Sequence, residues 1–320
     1  MSARNLRHNI GVPKQPTLEP LIHAKSVEEV IDSIDKIIAW SIANSSRVGY
    51  FAALYKRITL AVRKAIADNE FQNGARMEEF DFTFANRYFD ALNRHFHPHE
   101  FGQPTKTWQL SLKEASNAEP IIVQHLLGAC NAHIALDLGI TAHKIAAGNL
   151  PGLRDDFNTI NDILASQTSD VTNSIDKLSP VLADVHAVLK NYEIDFIDGS
   201  LKILRDNAWK FAEDLSGGSG DTDIIAERDL EMAQLGEMIY RPGIPMAAIF
   251  DAVAEDEQRD IAKNIQVLDE IASAPYKPAS PWLCGFLQST CRELRGLASA
   301  TLGPAFAVGI RNVSGRTNYR

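Results

Sequence analysis

One stretch of the chain, Pro120 to Ile140, is apolar on every side of a helical wheel and still carries Gln124, His125, Asn131, His133 and Asp137. A helix without a polar face has to be surrounded by protein. Its polar residues are then buried too, and a buried polar group requires a partner. So many polar groups also argue against a bilayer span. The expectation is a multi-helix bundle built around a long, buried central helix.

The flanking sequence agrees with an all-α fold. Ser26 opens SVEEVIDSIDKIIAW as a candidate N-cap, with Glu29 three residues on completing a capping box. GYFAALYKRITLAVRKAIAD and MEEFDFTFANRYFDALNRHF repeat apolar residues every three to four positions. HPHEFGQPTK reads as a connection, and NLPG at 149–152 as a break. LRDDFNTINDILASQ, LADVHAVLKNY, DGSLKILRDNAWKFAEDL, AERDLEMAQLGEMIYRPG and MAAIFDAVAEDEQRDIAKNIQVLDEIA continue the helical pattern. No alternating strand pattern and no repeat of fixed period occurs. Residues 1–25 read as an N-terminal arm and 26–215 as a helical core domain. Residues 216–223, SGGSGDTD, read as a flexible loop, and 224–320 as a C-terminal helical segment packing on the core.

Charge and cysteine usage narrow the partners. Lys plus Arg is 32 and Asp plus Glu is 41, a net charge of −9, and no basic run appears. Bulk attraction to nucleic acid is excluded as a mode of action. Cys130, Cys284 and Cys291 are odd in number and fit neither a zinc ribbon nor a disulfide framework. With no leader-like apolar core at the N-terminus and no transmembrane segment, a cytoplasmic protein is expected.

His133 and Asp137, four residues apart, share a helix face about 40° wide. The pair suits two ligands of one divalent metal ion, or an imidazole with its orienting carboxylate. The plainer reading is a satisfied structural pair. His125 lies about 80° round from His133, and Gln124 and Asn131 share a second face. In LRDDFNTINDIL, Asp156 falls inside the apolar arc and Asn161 at its edge, while Asp155, Asn158 and Asp162 point away. An inward aspartate is costly unless paired or ligating, although carboxylates in a first turn also favour the helix dipole. In FANRYFDALNRHF, Tyr88 joins Phe80, Phe84 and Ala91 on the apolar side, and Asn86, Asp90 and Asn93 lie opposite, where a solvated face is expected. Arg87 stands at the boundary, placed to meet a carboxylate or an anion. His95, His97 and His99 with Glu100 form a loop cluster that more often titrates in solvent than binds metal.

FAALYKRIT, ARMEEFDFTFANRYFDAL, TWQLSL, IVQHLLGACNAHIALDLGI and DDFNTIN together resemble the bacterial DUF5995 family, over about residues 50–195. The resemblance implies a helical protein and supplies no reaction. It implies that Arg76, Asn86, Arg87, Tyr88, Gln124, His125, Asn131, His133, Asp137, Asp156 and Asn161 sit in family motifs. The segment from about Asp221 onward carries no such likeness. DDFNTIN also resembles the aspartate-rich helix that holds magnesium diphosphate in terpene synthases, with the third carboxylate missing.

The functional expectation is an enzyme of a biosynthetic pathway acting on a small, largely apolar metabolite by hydrolysis, elimination or cyclisation. His133, Asp137, His125 and Asp156 are its candidate catalytic residues. Asn86, Arg87, Tyr88, Gln124, Asn131 and Asn161 are its candidate substrate contacts, and His133 with Asp137 a candidate metal site. The rivals are a helical carrier of a lipid or apolar metabolite and a magnesium-diphosphate-dependent terpene-type enzyme. A homo-oligomer is compatible with all three.

Overall fold

The computed structural model describes residues 16–183, 196–218 and 220–273, and these are all-α without a strand. The LADVHAVLKNY helix falls largely outside the described residues, as do Cys284, Cys291 and everything beyond residue 273.

The helices are α1 (Val27–Ala43), α2 (Val48–Ala67), α3 (Gly74–Phe96), α4 (Pro98–Phe101), α5 (Lys106–Glu114) and α6 (Ile122–Cys130). A π-helical segment, Asn131–Leu138, continues α6 directly into α7 (Gly139–Ala146). After a tight 3-10 turn at Leu150–Leu153 come α8 (Arg154–Leu178), α9 (Phe196–Gly217), α10 (Asp221–Tyr240), α11 (Ile244–Asp256) and α12 (Ile261–Ala272).

α1 shows why these segments fold as they do. Its run of Val and Ile is a poor intrinsic helix former, but Val27, Val30, Ile31, Ile34, Ile37 and Ile38 form one buried stripe. Tertiary packing of that stripe supplies the stability that propensity lacks. Ser26 Oγ caps the Glu29 amide at 3.2 Å. Glu29 reaches back one residue further than a capping box requires, to the Lys25 amide at 2.8 Å. α1, α2 and α12 pack as one layer. α2 approaches so closely that a Cβ on Gly49 would lie 2.6 Å from Ile265 and 2.7 Å from Ser41.

The stretch from Ile122 to Ala146 contacts α2, α3, α5, α9 and α10. That enclosure is why it can be apolar all round. It is not one α-helix, however. The π turns widen it over eight residues, so an α-helical wheel no longer gives the side-chain directions beyond Asn131.

Two sequence readings are corrected here. The supposed solvated face of α3 is a clasp for the N-terminal arm. Residues 16–25 cross it without helical structure, and Leu18, Leu21 and Ala24 are buried while every residue between them is exposed. Burial at every third residue matches the three-residue turn of polyproline II. The Asn93 side-chain amide brackets Leu21, accepting from its N–H and donating to its C=O, both at 2.8 Å. Asn86 brackets Ala24 in the same way at 2.8 and 2.9 Å. His97 Nε2 meets the Leu18 carbonyl at 2.6 Å, and His23 meets Asp90 at 2.7 Å.

The second correction is the long helical segment from Met246 to Ala272, which is broken between α11 and α12. No Gly or Pro marks the break, and its cause is tertiary. Glu257 turns its carboxylate onto the Ile122 amide at 2.9 Å and the Ser179 hydroxyl at 2.6 Å, and the Gln258 amide donates to the Leu178 carbonyl at 3.0 Å. α9 ends at Gly217 and α10 begins at Asp221, so Ser216 and Gly217 belong to α9. Among the described residues no helix is long and apolar enough to cross a membrane.

Candidate functional site

α3 presents Phe84, Arg87 and Tyr88 to the π segment, which carries His133 and Asp137. α2 adds Phe51 and Tyr55, and α5 adds Trp108. Asp137 is only 1% exposed. Its Oδ1 accepts from Arg87 Nε at 2.7 Å, and its Oδ2 accepts from the Trp108 indole at 2.7 Å. In the tautomer with its proton on Nδ1, His133 donates to the same Oδ2 at 3.4 Å, a long bond. Arg87 is the member nearest solvent, with 30% of its side chain exposed.

Aromatic rings enclose the imidazole. His133 stacks on Phe84 with ring centres 3.7 Å apart and an interplanar angle of 9°. Tyr55 stands edge-on at 4.8 Å and Phe51 at 5.6 Å, with Tyr88 and Trp108 each at 6.0 Å. His133 Nε2, the Tyr55 hydroxyl, the Tyr88 hydroxyl and Asp81 Oδ2 are buried and have no hydrogen-bond partner. Such groups are rare in folded proteins, and a water, an ion, strain or a chemical role accounts for each of them.

The electrostatics divide the roles. Burial pushes the His133 ring below its usual pKa and outweighs the support of Asp137, so the imidazole is neutral at pH 7. Burial alone would raise the Asp137 carboxyl; Arg87, His133 and Trp108 together outweigh it and hold the group ionised. Tyr55 is driven well above the usual phenol value, first by burial and then by the charges of Asp81 and Asp137. Burial raises Tyr88 as well. Both phenols therefore stay un-ionised and keep a proton to donate. Asp81 is pushed up to about 7 by burial and by neighbouring Glu78.

A second feature adjoins this cluster. A partly open cavity of about 20 Å³ lies between α2, α5 and α6, bounded by Arg47, Phe51, Tyr88, Trp108, Ser111 and His125. It has room for a water molecule or two. Neither ring nitrogen of His125 closes a well-formed hydrogen bond. Burial, with the charge of Arg47, lowers this ring to about 4. Phe51, Tyr88 and Trp108 thus serve as a common wall, with His133 on one side and His125 on the other.

The remaining candidates do not join the cluster. Asp156 is saturated by the Gln72 amide at 2.6 Å, the Asn73 amide at 3.3 Å and Arg76 Nη2 at 2.7 Å, so it staples the chain entering α3. Asp155 accepts from the Gln72 side chain at 2.7 Å. Asn86 serves the arm. Gln124 closes the start of α6, accepting from Ile121 at 3.1 Å and donating to the Ile239 carbonyl at 2.8 Å. Asn131 donates to the Met232 carbonyl at 2.7 Å, and its Oδ1 is buried without a partner, as is that of Asn161.

His133 and Asp137 do not fit a metal. Both Asp137 oxygens are occupied by Arg87 and Trp108, a guanidinium repels a cation from that carboxylate, and no third ligand completes a set among the described residues. Sequence reasoning missed Trp108, Tyr55, Phe51 and Asp81. The inward side of α3, where Asp81, Phe84 and Tyr88 recur at helical spacing, carried a signal for Asp81.

No curated protein and no solved structure matches the chain. A family match covers residues 27–242, ending two residues after α10 and taking in every residue of the cluster. The chain belongs to DUF5995, a family of unknown function.

Proposed function

We propose that the chain is an enzyme in which His133 removes a proton from carbon in a small, flat, largely apolar substrate, in an elimination or a cyclisation. One observation carries the reading: a neutral imidazole with Nδ1 turned to a carboxylate and Nε2 buried and unpartnered. That is the arrangement of a general base. Tyr55 and Tyr88 supply un-ionised hydroxyls to a developing oxyanion or leaving group. The rings around His133 favour a flat apolar body. Cys130 does not serve as a covalent nucleophile, because burial pushes its thiol up to about 12.

His133 is itself enclosed, so substrate reaches it by displacement of the wall shared with the His125 cavity. Solvent deuterium provides the test. The purified full chain is incubated in D₂O with pools of small aromatic and terpenoid metabolites. Carbon-bound deuterium and new products are then read by mass spectrometry. Wild type should incorporate label or convert one component; His133→Gln should not, and the distant His97→Gln should behave as wild type. Equal incorporation by wild type and His133→Gln overturns the reading.

His133→Phe gives a substrate-free check, since it keeps the ring packing. A base held against local stability should be replaceable with the melting temperature unchanged or raised by a few degrees. His133→Ala is a poor probe, because the hole left between five rings costs about 2–5 kcal/mol by itself. A large fall in His133→Phe would make the pair structural.

A further inference from the structure

Two adjacent residues of α10 hold both walls of the candidate site. The buried Asp229 carboxylate accepts from the amides of Lys106 at 2.7 Å and Thr107 at 2.9 Å, the first two residues of α5. It also accepts from the Thr107 hydroxyl at 2.8 Å. Another helix thus caps the N-terminus of α5. The next residue of α5 is Trp108, whose indole reaches Asp137.

Arg228 points the other way. Its Nε donates to the Ala135 carbonyl at 3.0 Å, inside the π segment and two residues before Asp137. Its guanidinium lies 5.3 Å from the Phe211 ring centre. One turn on, the Met232 carbonyl accepts from Asn131 at the start of the π segment. α10 therefore ties α5 to the π segment through residues other than His133 and Asp137.

The spacing matters because Asp137 Oδ2 has two claimants. The Trp108 indole lies at 2.7 Å and His133 Nδ1 at 3.4 Å. The placement of α5 against the π segment decides how much of that oxygen remains for the imidazole.

We propose that Arg228 and Asp229 are positioning residues: by fixing α5 against the π segment they hold Trp108 on Asp137 and keep His133 loosely tethered. If the grip loosens, the carboxylate turns to the imidazole and the ring becomes more basic. The titration of His133 is read without substrate, so a failure here is distinct from a failure of the general-base reading, on which only the catalytic consequence rests.

The full chain is labelled with ¹⁵N-histidine and ¹⁵N-tryptophan, and the ring nitrogens and indole protons are followed against pH, with His133→Gln and Trp108→Phe giving the assignments. Trp108→Phe should raise the His133 midpoint by about one unit, the scale of one hydrogen bond shifted on a buried carboxylate. Asp229→Ala should move it in the same direction and shift the Trp108 indole proton upfield. Asp229→Asn and Arg228→Met should do so to a smaller extent, and they decide the matter if Asp229→Ala does not fold. Asn93→Ala, which loosens the N-terminal clasp instead, should lower the melting temperature and leave both signals in place. Folded Asp229 and Arg228 variants with unshifted signals overturn the proposal. So does an Asn93→Ala shift of equal size.

Discussion

At the scale of single residues, two buried groups near the site pull stability in opposite directions with pH. Asp81 titrates near 7 in the folded chain against an ordinary 3.8. The folded state holds its proton more tightly, so its contribution is present below about 4 and lost as pH rises through 7. His125 is lowered from 6.5 to about 4. Its contribution is present above 6.5 and lost as pH falls through 4. The two slopes oppose each other across the same window. Asp81→Asn should therefore be more stable than the parent at pH 8, on the order of a few kcal/mol, with the gain vanishing near pH 4. Chemical denaturation at pH 4.5, 6 and 8 measures this. His125→Gln should shift the balance the other way, its standing against the parent improving as pH falls from 7 to 4. Identical pH profiles for parent and variants would mean that neither group is buried as described. His133 and Asp137 were legible because a helix without a polar side leaves its ionisable residues nowhere to go. Asp156 was legible as an inward carboxylate, but its partners are two backbone amides of a remote loop and the Arg76 guanidinium, which no wheel displays. Trp108 was hidden because an indole reads as core until its N–H is seen to have a target.

At the scale of elements, helical periodicity located most helices, since a 3.6-residue apolar repeat needs only neighbours on the same helix. What escaped depends on partners far along the chain. The break before α12 is set by Glu257 reaching α6, and the π turns do not alter the apolar pattern that drew attention to the segment. Asn86 and Asn93 read as solvated because the arm that covers them is itself polar and proline-rich. Their brackets are testable. Each replaces the two hydrogen bonds one arm residue would otherwise make with water, so Asn93→Ala should cost about 1–3 kcal/mol by leaving Leu21 unpaired. The double variant Asn86→Ala/Asn93→Ala should expose residues 16–25 to limited proteolysis while far-UV circular dichroism stays helical. An arm that resists cleavage in the double variant would place its hold in Leu18 and Leu21 instead.

For the whole molecule, the chain crosses from α9 to α10 in three residues and then returns to grip the segments on which the candidate site is built. A protease site placed at residues 218–220 should therefore yield two fragments that co-elute on gel filtration and melt as one unit, because α10 is held by Asp229, Arg228 and the Asn131–Met232 bond. Separation of the fragments in native buffer would show that this grip is weak. The family match stops at 242, but the fold does not: α12 lies on α1 and α2, and Ile265 fills a seat that exists only because residue 49 lacks a side chain. Position 49 thereby becomes a marker of chain architecture. In a family member that carries a helix equivalent to α12, a small residue is required there. In one that ends after α10, the contact with residue 265 is gone, and a side chain at position 49 is then limited by residue 41, whose Cβ would lie 2.7 Å away. Positions 41 and 49, taken together, then tell whether a chain of this family brings its own cover.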